Sequence, residues 1–198
     1  MRRGRVVAVG LLAGVLVAGA GVAAVRATTG PHTVEVSQAR LRFDLPHGWH
    51  DADRRPAPTQ AWVIEAAQRQ GFTPQAYAEG LRTSTLASMT GPVRGGYLCT
   101  VDVQRTRFSR VPDAGTVQGE LTQLHEEVDS SHPAASPLGT VLVTRYHFTL
   151  GSVPATSTVV HVAVHGEVLA ITIAAAGADA ASTTDPVADE VVRSLRPG

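Results

Sequence analysis

Between Thr158 and Ala175 the chain has few conformations open to it. Two segments rich in β-branched residues, Thr158 to His165 and Val168 to Ala175, flank the pair Gly166-Glu167. A two-residue connection with glycine first is the pattern of a type II′ hairpin turn. That turn predicts His165 opposite Val168, Val164 opposite Leu169, Val162 opposite Ile171 and Val160 opposite Ile173. On the other face Ala163 meets Ala170 and His161 meets Thr172. Turn chemistry and aliphatic pairing agree on one register, so an antiparallel sheet is the starting point for the whole domain.

The rest of the pattern adds strands and helices around that hairpin. Val34 to Val36 and Ala39 to Leu45 read as strands, the second with Leu41, Phe43 and Leu45 alternating with Arg40, Arg42 and Asp44. Pro46-His47-Gly48-Trp49 is a turn, and residues 51 to 60 are a charged, proline-rich loop. Trp62 to Ala67 reads as a short buried strand. Thr73-Pro74 predicts a helix start, because Thr caps and Pro suits the first helical position; Tyr77, Leu81 and Thr85, with Ala78 and Leu86, form its inner face. Tyr97 to Arg107 is a strand with Cys99, Val101 and Val103 on one side. Asp113 opens a second helix with Val117, Leu121, Leu124 and Val128 inward and Glu120, Glu126 and Glu127 outward. Residues 129 to 139 read as a loop and Val141 to Leu150 as a strand. Asp185-Pro186 predicts the start of a last helix carrying Val187, Val191 and Leu195. The expected class is α+β, an antiparallel sheet flanked by helices.

Charge divides the 198 residues into unequal parts. The formal net charge is zero. Residues 1 to 27 hold four Arg and no acid, whereas 28 to 198 hold 13 Arg and 17 acids. Arg2, Arg3 and Arg5 precede an uncharged run from Val6 to Val25, closed by Arg26. Twenty residues at ~1.5 Å each match a ~30 Å hydrocarbon core. Arginines on the leading side put the N-terminus in the cytoplasm and the remainder outside. The expected organisation is a basic tip and transmembrane anchor over 1–27, a linker over 28–33 and an extracytoplasmic domain over 34–198. The protein is then a single-pass protein of the cytoplasmic membrane. The alternative is secretion after cleavage near Ala27, where small or apolar residues stand at Val25 and Ala27. Gly10 and Gly14, like Ala20 and Ala24, are spaced to share a helix face that could pack on another helix.

Composition excludes several function classes. The mildly acidic outer part argues against nucleic acid as a partner. The single cysteine, Cys99, leaves no intrachain disulfide and no lipid-attachment cysteine after the apolar run. All 17 basic residues are Arg, with no Lys and no Asn, the bias of a GC-rich genome rather than of a phosphate site.

The run Phe43-Asp44-Leu45-Pro46-His47-Gly48-Trp49 resembles the F-x-L-P-x-G-W opening of PsbP-like domains, most of all the LpqN-type exported proteins of actinobacteria. Thr73-Pro74-x-x-Tyr77-Ala78 and the ending Val191-Val192-Arg193-Ser194-Leu195-Arg196-Pro197 are similar to the same group, and element order matches over residues 34 to 197. The resemblance implies a PsbP-like α/β/α sandwich without a shared catalytic apparatus. It also implies an accessory, assembly or partner-binding role outside the cytoplasmic membrane. Phe43, Leu45, Pro46, Gly48 and Trp49 are expected as fold-signature residues rather than a site. The missing lipidated cysteine departs from the lipoprotein members.

Chemistry-bearing groups are sparse. There is no Gly-x-Ser-x-Gly elbow, no Walker lysine and no Gly-x-Gly-x-x-Gly, so no catalytic and no cofactor-binding residues are assigned and no cofactor is expected. No firm metal site emerges. The nearest to one is a hairpin in which Phe148 faces Val160, because it sets His147 opposite His161 at ~4.5–5.5 Å between Cβ atoms. His125 and Asp129 would share a helix face, and His47, His50, Asp51 and Asp53 cluster in one loop. Cys99, Trp49 and Trp62 read as core. The favoured function is a membrane-anchored or exported, non-catalytic partner-binding protein of the cell envelope. An exported small-ligand or metal-binding protein is the alternative, and an enzyme the third reading.

Overall fold

The computed structural model describes residues 31–52, 57–60, 63–64, 67–68, 72–94, 97–150 and 152–198. The apolar run 6–25 and the linker 28–33 up to residue 30 lie outside the described residues, as do Asp53 and Trp62. Among the described residues no helix is long and apolar enough to cross a membrane.

Besides the helical residues 63–64 and 67–68, the described residues form ten strands and three continuous α-helices in an α+β arrangement. They are β1 (His32–Val36), β2 (Leu41–Leu45), β3 (His50–Asp51), α1 (Pro74–Ser84), β4 (Thr85–Arg94), β5 (Tyr97–Arg105) and α2 (Ala114–Gln123). Then come β6 (Glu127–Ser136), β7 (Gly139–Leu150), β8 (Val153–Val164), β9 (Glu167–Ala176), α3 (Ala180–Ser194) and β10 (Arg196–Pro197). Seven strands form one antiparallel sheet in the order β3-β4-β5-β9-β8-β7-β6, and β1-β2-β10 form a second.

The large sheet is covered on both faces. On one, Val101, Val160, Ile171 and Ile173 pack with Val187 and Val191 of α3, with Leu195 that caps it, and with Leu41, Phe43 and Leu45 of β2. On the other, Leu142, Tyr146, Val159 and Ala170 pack with Val117 and Leu121 of α2. Val160 and Val159 thus point to opposite layers, as period-two alternation requires. The central strands read as near-continuous apolar runs because both faces are buried.

The C-terminal hairpin forms, with its register shifted by two residues. Val164 pairs with Glu167, Val162 with Leu169, Val160 with Ile171 and His161 with Ala170. The two central turn residues are His165 and Gly166, both with positive φ (48° and 84°). That is the backbone of a type I′ turn, whose twist matches the flanking strands. A two-residue shift leaves every side chain on its expected face, which is why the aliphatic pattern fitted both registers.

Other boundaries move for local reasons. Thr73 accepts from the Ala76 N–H and Pro74 occupies the first turn, as expected, but α1 ends at Ser84. Thr85 and Leu86 belong to β4 instead of the helix face. Helix α2 starts at its Asp113 cap, with Thr116 N–H donating to Asp113 Oδ1 at 2.8 Å. It ends sooner than its apolar periodicity suggests. The Glu126 N–H reaches Leu121 O and the His125 N–H reaches Thr122 O, with His125 left-handed at φ 62°. This Schellman closure turns the chain into β6 and buries Glu126, which was expected outward.

Residues 129 to 139 are mostly strand, not loop. Pro133 pairs with Leu142, and the ladder tolerates it because β6 is the sheet edge. Val63, Ile64, Ala67 and Gln68 are helical, not a strand; Val63 and Ala67 are buried with Tyr77 and Leu81. Four-residue spacing, which suits a helix, was hidden in a short apolar run. The last helix begins at Ala180, ahead of Asp185-Pro186. Helix-favouring Ala180 and Ala181 extend it upstream, and Pro186 is accommodated inside it. Ala39 and Arg40 form a tight turn between β1 and β2, with Arg40 at φ 50°.

Candidate functional site

A cleft of about 520 Å³ opens where α3 runs out over the β6 edge. Its floor is set by cross-strand pairing. Ser130 of β6, Arg145 of β7 and Thr158 of β8 stand in one row, and the same row continues as Ile173 and Val101 under the apolar stripe of α3. The row is thus aliphatic under the middle of the helix and polar at the β6 side. The helix contributes Asp185, Ala188, Asp189 and Val192, spaced i, i+3, i+4, i+7 beside the buried Val187, Val191 and Leu195. Small residues, Ala134, Ala135 and Ala188, leave the gap unfilled.

Arg145 and Asp185 form an ion pair across this cleft, their side chains about one-third exposed (34% and 35%). The pair is incomplete. Arg145 Nε, Asp185 Oδ1 and Thr158 Oγ1 are closed off from solvent and have no hydrogen-bond partner among the described residues. Thr158 is 2% exposed. A donor, an acceptor and a hydroxyl without a described protein partner stand together here, and a buried polar group left unsatisfied costs about 1–3 kcal/mol. Arg193 also lines the cleft, and it pairs with Glu190. The lining therefore carries two Arg against two Asp, with His132 beside them. These residues were missed at the level of sequence. The readable signal was Arg145, an arginine at the inward parity of Val141 and Val143.

His147 and His161 are not partners. The β7–β8 ladder pairs Leu142 with His161 and His147 with Thr156, and the two imidazoles lie on opposite faces of the sheet. Leu150 pairs with Val153, so the connection is only two residues long and β8 begins five residues before the expected Thr158. That odd shift in register swaps faces.

His147 instead sits between two carboxylates of β6. Its Nδ1 lies 2.8 Å from Asp129 Oδ1 and its Nε2 2.6 Å from Glu127 Oε2. The Asp129 hydrogen bond, followed by that of Glu127, holds the imidazole pKa above its ordinary 6.5. His161 is fully buried, edge-on to Phe108 at 5.7 Å between ring centroids, with neither ring nitrogen partnered among the described residues. Burial pushes its pKa down to about 4.

The remaining candidates disperse. His125 and Asp129 do not share a helix, because α2 ends before either. His50 Nε2 lies 2.8 Å from Thr90 Oγ1, and His32 Nε2 lies 3.1 Å from Asp51. Among the described residues no group of three or more His, Cys, Asp or Glu is placed to hold a metal ion. Cys99 is buried in the main core, and burial pushes its thiol pKa up.

The fold-signature residues do pack as a unit. Phe43 and Leu45 are fully buried and Trp49 is 4% exposed. Gly48 turns at φ 90°, and the Trp49 ring lies so close over Gly91 that a Cβ there would fall 2.6 Å from it. A second hollow, of about 630 Å³, lies between Pro46, His47 and the start of α3.

No protein-family model matches the chain, and no curated protein matches it. Among solved structures it is similar to the solution structure of cyanobacterial PsbP (CyanoP) from Synechocystis. The TM-score is 0.52 at 10% identity, over 91% of this chain and 98% of that one. At that identity the likeness is one of fold, and it gives this chain a PsbP-like fold.

Proposed function

We propose that this chain is a non-catalytic accessory protein of the cell envelope, of the LpqN type found in actinobacteria. Residues 6–25 hold it in the cytoplasmic membrane with the N-terminus inside and the domain from residue 34 outside. There it binds an envelope protein partner in the cleft between β6 and α3. The observation that carries this reading is the incomplete Arg145–Asp185 pair over the unpartnered Thr158 hydroxyl. A recognition surface differs from a core in having polar groups ready for an incoming partner. Support for the compartment comes from the arginine-led apolar run and the acidic balance of residues 28–198. Support for the type comes from the Phe43-to-Trp49 motif together with the PsbP-like fold.

The test is in-cell photo-cross-linking of the full-length protein. A photoreactive residue at Ala134, on the cleft rim, is expected to capture one stoichiometric envelope protein. The same residue at Glu79, on α1, is expected to capture none. Equal capture from both positions, or none from either, refutes the reading. N-terminal sequencing of the same material decides between an anchor and cleavage near Ala27.

A second reading is an exported small-ligand binder. The cleft volume favours it, because it falls within the ~300–1,000 Å³ usual for ligand pockets. A thermal-shift panel of metals, lipids and small metabolites separates the two, since a ligand of the native state raises the melting temperature by mass action.

A further inference from the structure

The cleft also carries information about what enters it. While Arg145 and Asp185 hold each other, the Arg145 Nε, the Asp185 Oδ1 and the Thr158 hydroxyl stay sealed and unmatched among the described residues. A ligand that gains all three must part the pair. Parting it is cheap, because an ion pair one-third exposed to water contributes little. The ligand, now standing between the two, must then offer an acceptor to the guanidinium on one side and a donor to the carboxylate on the other. A carboxylate or phosphate offers acceptors only, and it would face both Asp185 and Asp189. A cation would face Arg145 and Arg193. The lining charges cancel, two against two, and the walls between them are small and apolar: Ala134, Val143, Ala188 and Val192.

We infer that the cleft binds an extended, uncharged peptide segment with small apolar side chains, one of whose backbone amides replaces the contact between Arg145 and Asp185. The amide carbonyl accepts from Arg145, the amide N–H donates to Asp185, and Thr158 completes the set. Side chains of Ala or Val size fill the space against Val143 and Val192. This rests on the cleft being the recognition surface, and it narrows the partner to one presenting such a segment.

Random peptides displayed on phage, panned against the full-length protein, test it. The expected peptides have uncharged, small-residue centres. They bind about tenfold more weakly to Thr158→Val and are lost on Ala188→Trp, which fills the cleft. Thr158→Val keeps the side-chain shape and removes one unmatched hydroxyl, so its melting temperature is expected to hold or rise while binding falls. A purely structural hydroxyl would leave binding unchanged, and that result overturns the amide assignment. Peptides with acidic centres, or competition by inorganic phosphate, also overturn the amide assignment while leaving the cleft as the binding surface. Peptides that bind Ala188→Trp as well as the parent, or no retained peptides, overturn the cleft itself.

Discussion

Arg196 clasps Asp44 across 152 positions of sequence: Nη1 donates to Oδ2 at 2.9 Å and Nη2 to Oδ1 at 2.8 Å. The same aspartate accepts from Thr33 Oγ1 at 2.8 Å, and its backbone N–H donates to Ser194 Oγ at 2.8 Å. One residue of β2 therefore ties together β1, the end of α3 and β10. The Arg196 hydrogen bond, which outweighs the opposing effect of burial, holds the Asp44 pKa below its ordinary 3.8. A depressed carboxylate contributes stability above its unfolded pKa and loses it as pH falls through the folded value. Because the pair is partly exposed, Asp44→Asn is expected to cost about 1 kcal/mol at pH 7. Urea denaturation at pH 7 and pH 3 checks this; the gap between mutant and parent should be smaller at the lower pH.

Gly91 is required by Trp49. Any Cβ at Gly91 would lie 2.6–2.9 Å from three atoms of the indole. Gly91→Ala must displace a buried aromatic ring in a packed core, an overpacking cost of about 1–3 kcal/mol. Chemical denaturation followed by tryptophan fluorescence should show the loss. A second expected sign is a changed emission maximum for the folded Gly91→Ala protein.

His161 makes the fold sensitive to acid. Its folded pKa of about 4 lies below the ordinary 6.5, because burial disfavours the imidazolium. Between those values the unfolded chain binds more protons, so stability falls as pH drops from 6.5 towards 4 and levels off below. The total loss is on the order of 3 kcal/mol. His161→Leu removes both unpartnered ring nitrogens, and its melting temperature should stay flat over this range where that of the parent falls.

His147 has the opposite sign. Its folded pKa is raised by Asp129 and Glu127, so its contribution is full below the unfolded value and is lost as pH rises through the folded one. With half the side chain in water the energy is small, below about 0.5 kcal/mol. The direct measurement is an NMR titration of the imidazole ring. Its midpoint should lie above 6.5 in the parent and return towards 6.5 in Asp129→Asn.

The strands and faces of the C-terminal third were legible because Val160, Val162, Ile171 and Ile173 have only one way to be buried together. The exact register was not, since a two-residue shift keeps those faces and the turn at His165-Gly166 decides between the options. β6 escaped notice because Pro133 and the polar Ser130, Ser131 and His132 carry no strand signal when one edge has no neighbour. For the same reason the cleft was not foreseen: it borders that edge. The histidine pairing failed for want of the two-residue connection after Leu150. Missing it moved His147 from its carboxylate partners to an imidazole on the other face. The Pro46-to-Trp49 turn was legible, because proline, glycine and tryptophan each have a distinct steric task there.

The two ends of the seven-stranded sheet have a consequence for how copies of this protein coexist. One margin is β3, only two residues long. The other, β6, is interrupted by Pro133, irregular between Val128 and Ser130, and charged at Glu127 and Asp129. Each device spoils the template that an exposed strand offers to a second chain. Both margins are thus poor templates for pairing with an identical sheet, which disfavours growth of a ribbon of stacked copies.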